Sequence, residues 1–110
     1  MIFLTDQERV DAKTNELARR YVDYLRGVDL NDLDQNKIWE IFKSLQSLRI
    51  FVQPSTKEEI EIVVNHPHFV SGIEDYTQKR ESRKQFTPQF QKKIQNLIVR
   101  VASEIENQMK

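Results

Sequence analysis

Apolar side chains recur along most of the chain at the spacing of an α-helix, and the clearest run is the last, from Thr87 to Met109. Phe90, Ile94, Leu97, Ile98, Val101 and Ile105 step by four, three, one, three and four. That series lines one face of a helix and cannot line one face of a strand. Thr87 is a good N-cap, Pro88 is tolerated in a first turn, and no later Gly or Pro interrupts the run. The pattern predicts a helix of about six turns, whose stripe the rest of the chain must cover.

A first helix is predicted to open at Thr5, where Thr5 and Glu8 make a capping box and Leu4 can staple the turn. Val10, Thr14, Leu17, Tyr21, Tyr24 and Val28 form its seam, widened by Leu25, and the seam is read as packing within a bundle. Gly27 is placed to end this helix in a left-handed conformation. After a polar connection holding Leu30 and Leu33, Asp34 can cap a second helix from about Gln35 to Arg49. Its stripe is Ile38, Ile41, Phe42, Leu45 and Leu48, with Trp39 and Ile50 on nearly the opposite side. A helix apolar on two faces is either central to its fold or keeps one face for a partner.

The stretch 49–64 carries two patterns. Arg49-Ile50-Phe51-Val52 and Ile60-Glu61-Ile62-Val63-Val64 are rich in β-branched residues and could pair as a short hairpin, which would make the fold α+β. Against that, Ser55-Thr56-Lys57-Glu58 reads as a capping box before Ile60, Val63 and Val64, which keep helical spacing. A third helix over about 55–65 is preferred. Asn65-His66-Pro67 ends it, because a residue before proline is pushed out of α geometry. Phe69, Val70, Ile73 and Tyr76 then predict a fourth helix over about 67–82, weakened by Gly72 and wholly polar from Gln78 to Lys84. The expected architecture is all-α: one domain over residues 1–110, an antiparallel bundle of four or five helices framed by the first, second and last.

Composition agrees with this picture. A chain of 110 residues suits one domain, and only 2 Gly and 3 Pro are too few for the tight turns of an all-β fold. Lys and Arg (17) balance Asp and Glu (17), so any attraction to nucleic acid or an anionic membrane must be local. With no cysteine there are no disulfides, no thiolate metal sites and no cysteine nucleophile. Neither a signal-peptide pattern nor an apolar stretch of bilayer length is present, so a cytoplasmic protein without a membrane segment is expected.

Candidate chemistry is sparse. His66 and His68 are the only histidines; they lack the further ligands of a structural metal site and are read as a polar helix boundary. With only Gly27 and Gly72, no glycine-rich phosphate loop exists. Residues 55–76 resemble a helix-turn-helix in outline, but the second helix offers no Arg, Lys, Asn or Gln until Gln78 with which to read bases. The expectation is a protein without enzymatic activity, cofactor or metal.

Two surface signals remain. The first is apolar residues outside the core stripes: Trp39, Ile50 and Val99 as partner-binding candidates, with Val22 of the first helix as a further outlier. Together with the absence of catalytic motifs, they point to a small protein-interaction module: an adaptor, inhibitor or immunity-type factor, fitting a phage or mobile element. Its partner is another protein or a second copy of itself. The second signal is the basic cluster at 79–93, where Lys79, Arg80, Arg83, Lys84, Lys92 and Lys93 stand against Glu81 alone, with Phe86 and Phe90 among them. It makes nucleic-acid binding the alternative function.

Overall fold

The computed structural model describes residues 6–108, with side chains from residue 15 onward. The expected capping box at Thr5 and Glu8, the Leu4 staple, and the side chains of Val10 and Thr14 lie outside the described residues. The described residues form an all-α bundle of five helices: α1 (Asp6–Gly27), α2 (Gln35–Leu48), α3 (Pro54–Val64), α4 (Pro67–Thr77) and α5 (Pro88–Gln108). A 3-10 turn, Arg49–Phe51, follows α2, and two-residue strands β1 (Leu33–Asp34) and β2 (Arg83–Lys84) stand in the connections.

The centre of the bundle is α2, which packs against α1, α3 and α4. Its cap is the expected one: the Asp34 carboxylate accepts from the Lys37 N–H at 2.8 Å. Ile38, Ile41, Leu45 and Leu48 are fully enclosed. Ser44, buried beside them, satisfies its hydroxyl on the Glu40 carbonyl at 2.7 Å.

On α1 the buried residues are Ala18, Val22 and Leu25, at helical spacing, while Leu17 is 48% exposed. The inward face is therefore turned about one position from the expected seam. Val22, expected to lie off the stripe, is core at 4% exposure. The tyrosines take the border instead: Tyr21 and Tyr24 pack half-buried against the core, where their rings add apolar cover. Gly27 also departs from expectation; it is the last residue of α1 and does not adopt a positive φ.

The expected third helix forms, but its cap is different. No side chain of the Ser55-Thr56-Lys57-Glu58 box caps it; Pro54 occupies the first turn. The capping acceptor comes from α5: Glu104 accepts from the Gln53 N–H at 2.8 Å and from the buried Thr56 hydroxyl at 2.5 Å. A carboxylate at a helix N-terminus supplies both hydrogen bonds and a favourable charge, and this one ties α3 to α5 over a long stretch of sequence. The alternative hairpin at 49–64 is absent. The one strand pairing among the described residues is an antiparallel bridge joining Leu33 to Lys84 and Asp34 to Arg83, which clips the α1–α2 connection to the α4–α5 connection.

α4 begins and ends on identifiable caps. His66 Nδ1 accepts from the His68 N–H at 3.1 Å, opening the helix at its Pro67. The helix stops at Thr77, well short of residue 82. Lys79 takes a left-handed conformation (φ 58°), the Lys79 N–H donates to the Tyr76 carbonyl at 3.1 Å, and the Arg80 N–H donates to the Asp75 carbonyl at 2.7 Å. Those paired bonds are the Schellman termination, here built without glycine. With no apolar residue beyond Tyr76 to bury, nothing holds a longer helix together.

α5 follows the predicted span, with the Thr87 hydroxyl accepting from the Phe90 N–H at 3.2 Å. Its stripe, Ile94, Leu97, Ile98, Val101 and Ile105 with Ala102, is covered by α1 and α3. Arg26 pairs with Glu106, bringing the C-terminal ends of α1 and α5 together.

Candidate functional site

α2 and α4 lie unusually close because of one residue. A Cβ placed on Gly72 would stand 2.6 Å from Ile38 Cδ1, 2.8 Å from Cγ2 and 3.2 Å from Cβ. The two helices run antiparallel, so Trp39 meets Tyr76 at one end while Phe42 lies beside Ile73 further along. The Trp39 and Tyr76 rings are stacked at 4.9 Å with planes 7° apart, and Trp39 leans on Phe42 at 5.8 Å.

Beyond that stack the outer surfaces of α2, α3 and α4 enclose a groove of about 400 Å³. Phe42, Val64, Val70 and Ile73 form its walls, and Arg49, Glu61 and Glu74 stand at its edge. A shallower hollow continues over α3, where Ile62 is 52% exposed beside Glu58. Val70 and Tyr76 are also exposed. Trp39, Phe42, Ile73 and Val70 thus make a nearly continuous apolar strip, about 15 Å long if measured from Trp39 to Arg49 at the helical rise per residue.

The sequence-based candidates are dispersed relative to this strip. Trp39 is at one end of it, half-buried and outside the main core. Ile50, 71% exposed, sits on the 3-10 turn next to Arg49, about 16 Å from Trp39 along the chain axis. Val99, 65% exposed, stands on α5, which packs against α1 and α3 rather than on the α2–α4 side. Phe42 and Ile73 escaped notice because their spacing assigned them to core stripes. Val70 and Tyr76 gave a usable signal: with Phe69 and Ile73 they spread the apolar arc of α4 wider than one stripe requires.

The basic cluster is partly committed to neighbours. Arg80 and Lys84 both hold Asp75, at 3.1 and 3.4 Å, and Arg83 holds Asp32 at 2.5 Å. The Asp75 carboxyl is held below the ordinary carboxylate value, first by the adjacent Ser82 hydroxyl, against the opposing effect of burial, and then by Lys84 and Arg80. Ser82 Oγ is buried without a well-formed hydrogen bond among the described residues, so the two ion pairs are the firmer holds. Lys79 terminates α4. Lys92 and Lys93 line a separate open hollow between α3 and α5, shared with Gln89, Asn96, Leu97, Arg100 and Glu59. Phe86 is buried and Phe90 half-buried in an aromatic cluster with His66, whose ring lies 4.1 Å from that of Phe90 and 5.3 Å from that of Phe86. Neither phenylalanine stands free to stack a base.

His66 belongs to that cluster and to the α4 cap. Burial, and then the neighbouring His68, push its pKa below the ordinary 6.5. Among the described residues no three His, Asp or Glu side chains converge as metal ligands, and no helix is long and apolar enough to cross a membrane. The chain matches no known protein family, no curated protein and no solved structure.

Proposed function

We propose that this chain is a small non-enzymatic protein that acts by contact with another protein, as an adaptor, inhibitor or immunity-type factor does. The observation that carries this is the groove between α2, α3 and α4, where Phe42, Ile73 and exposed Val70 continue the Trp39–Tyr76 stack along one side of the bundle. An aromatic pair beside an aliphatic groove is the composition of an interface centre. The test is differential capture from the source cells. Wild-type bait retains a partner that Val70→Asp bait loses, with both baits equally helical by circular dichroism. Identical captured sets would refute the proposal, and sedimentation of the purified chain identifies the case in which the partner is a second copy.

A second reading has a specific observation behind it. Lys92 and Lys93 lie around one cavity with the donors Gln89 and Asn96, with Glu59, and with Arg100, which is itself paired with Glu104 at 3.9 Å. Nucleic-acid contact would then run along α5 rather than through Arg80, Arg83 and Lys84, which have carboxylate partners. Filter binding at two salt concentrations tests it: Lys93→Ala lowers the salt slope by about one unit if Lys93 contacts a phosphate. No retention at low salt ends this reading.

A further inference from the structure

We infer that the occupant of the α2–α3–α4 groove is an amphipathic helix whose apolar face is flanked by lysine or arginine; this rests on the protein-contact function proposed above. The groove is apolar within and acidic at its edge. Glu61 and Glu74 border it, and Glu58 borders the hollow that continues past Ile62. Among the described residues the one cation lining the groove, Arg49, is already paired with Glu61 at 3.2 Å. Among the described residues Glu58 and Glu74 take part in no ion pair. An incoming segment with basic flanks would meet those two carboxylates; one with acidic flanks would be repelled by them.

The secondary structure of the occupant follows from what the groove lacks. An extended peptide binds well when it adds to a sheet edge, because its own N–H and C=O groups then find partners. The walls here are three helices, and the two-residue strands lie in the connections, remote from Val70 and Ile73 along the chain. These walls offer an extended segment no ladder of backbone partners, whereas a helix satisfies its backbone internally and needs none. About 15 Å of strip accommodates three helical turns, enough for anchors at i, i+4 and i+7.

The chain contains one tryptophan, at the end of the strip, so its fluorescence reports occupancy. Purified protein is titrated with two synthetic amphipathic helices that share leucine positions and differ only in lysine or glutamate flanks, with calorimetry alongside. The lysine-flanked helix is expected to bind about tenfold tighter at low salt, with the gap narrowing as salt is added. Val70→Asp should abolish binding of both, and the Glu58→Lys/Glu74→Lys variant, changed only at exposed positions, should reverse the preference. Equal binding of the two helices, still dependent on Val70, overturns the charge rule and leaves the groove as a contact site. No binding, or binding indifferent to both variants, overturns the helix inference. The proposed function then stands or falls on whether partner capture from source cells depends on Val70.

Discussion

Replacing Gly72 by alanine sets two physical effects against each other, and the structure decides the sign. In an exposed helix the change should stabilise by about 1 kcal/mol, because glycine loses more backbone freedom on folding than alanine does. Here the new methyl would lie 2.6 and 2.8 Å from two carbons of Ile38, where carbon contacts settle at about 3.5–4.0 Å. Ile38 has no exposed surface into which to retreat. Rotating χ2 could swing Cδ1 aside, but Cγ2 and Cβ are fixed by the stiff χ1 of a β-branched residue in a helix. The helices must therefore separate or Ile38 must leave its rotamer, at a cost of roughly 1–3 kcal/mol. The net expectation is destabilisation by about 1 kcal/mol, a fall in Tm of about 4 °C for a domain of this size. Chemical denaturation followed by circular dichroism and by Trp39 fluorescence measures it. Ile38→Ala alone should cost about 2–5 kcal/mol through the cavity it leaves. In that background Gly72→Ala should become neutral or stabilising, a coupling of about 1–2 kcal/mol. A Gly72→Ala protein more stable than wild type would refute the close-contact argument.

Other expectations are checked by similar means. Lys79→Gly should raise stability by about 1 kcal/mol in urea denaturation, since glycine adopts the left-handed conformation without the Cβ penalty; no gain would mean that Lys79 is not strained in the folded chain. Glu104→Ala should cost roughly 2 kcal/mol, by uncapping α3 and leaving the buried Thr56 hydroxyl without its acceptor, while Ser103→Ala on the exposed side should change little. Trp39→Ala should cost about 1–2 kcal/mol through the lost stack on Tyr76 yet keep a helical circular dichroism spectrum; complete unfolding would make Trp39 a core residue. For pH, folded His66 binds its proton less readily than the unfolded chain does, so its contribution is complete above about 6.5 and is lost as pH falls through the lower folded value. Asp75 acts in the same direction further down: its contribution is present above 3.8 and is lost as pH falls through its depressed value. His66→Asn, which keeps a capping side chain, should remove only the upper of these two steps in a stability–pH profile.

What the sequence made legible was whatever depends on local spacing. Asp34 and Thr87 cap the helices they were expected to cap, and the α5 stripe is the one its periodicity drew. The errors came where a distant residue displaced a local signal. Ser55 and Glu58 had the right spacing for a box, but Glu104, far away in sequence, reached the α3 N-terminus instead. The inward face of α1 turned toward Ala18, Val22 and Leu25 because tyrosines serve well at the border of a core. The end of α4 lay in a lysine with positive φ, a role that residue type does not advertise. Of the proposed contact surface, Trp39 could be found because it stood off its stripe; Val70 could have been; Phe42 could not, since its spacing is that of a core residue.

The two-faced character of α2 and the presence of the groove have a common origin. α2 carries more apolar surface than one neighbour can cover, so a second helix must lie against Trp39 and Phe42. α4 does so, packing on Ile38 at Gly72 and on Trp39 through Tyr76, while Val70, Ile73 and Phe42 line the open groove beside that contact. α4 also stops at Thr77, one residue past Tyr76, so Trp39 gains a single stacking partner and stays half-buried. A longer α4 carrying apolar residues past 77 would have enclosed Trp39 as core. The polar run Gln78–Lys84 prevents that extension, and Arg80 and Lys84 turn back to pair with Asp75. The sequence that ends α4 therefore also keeps one end of the apolar strip accessible.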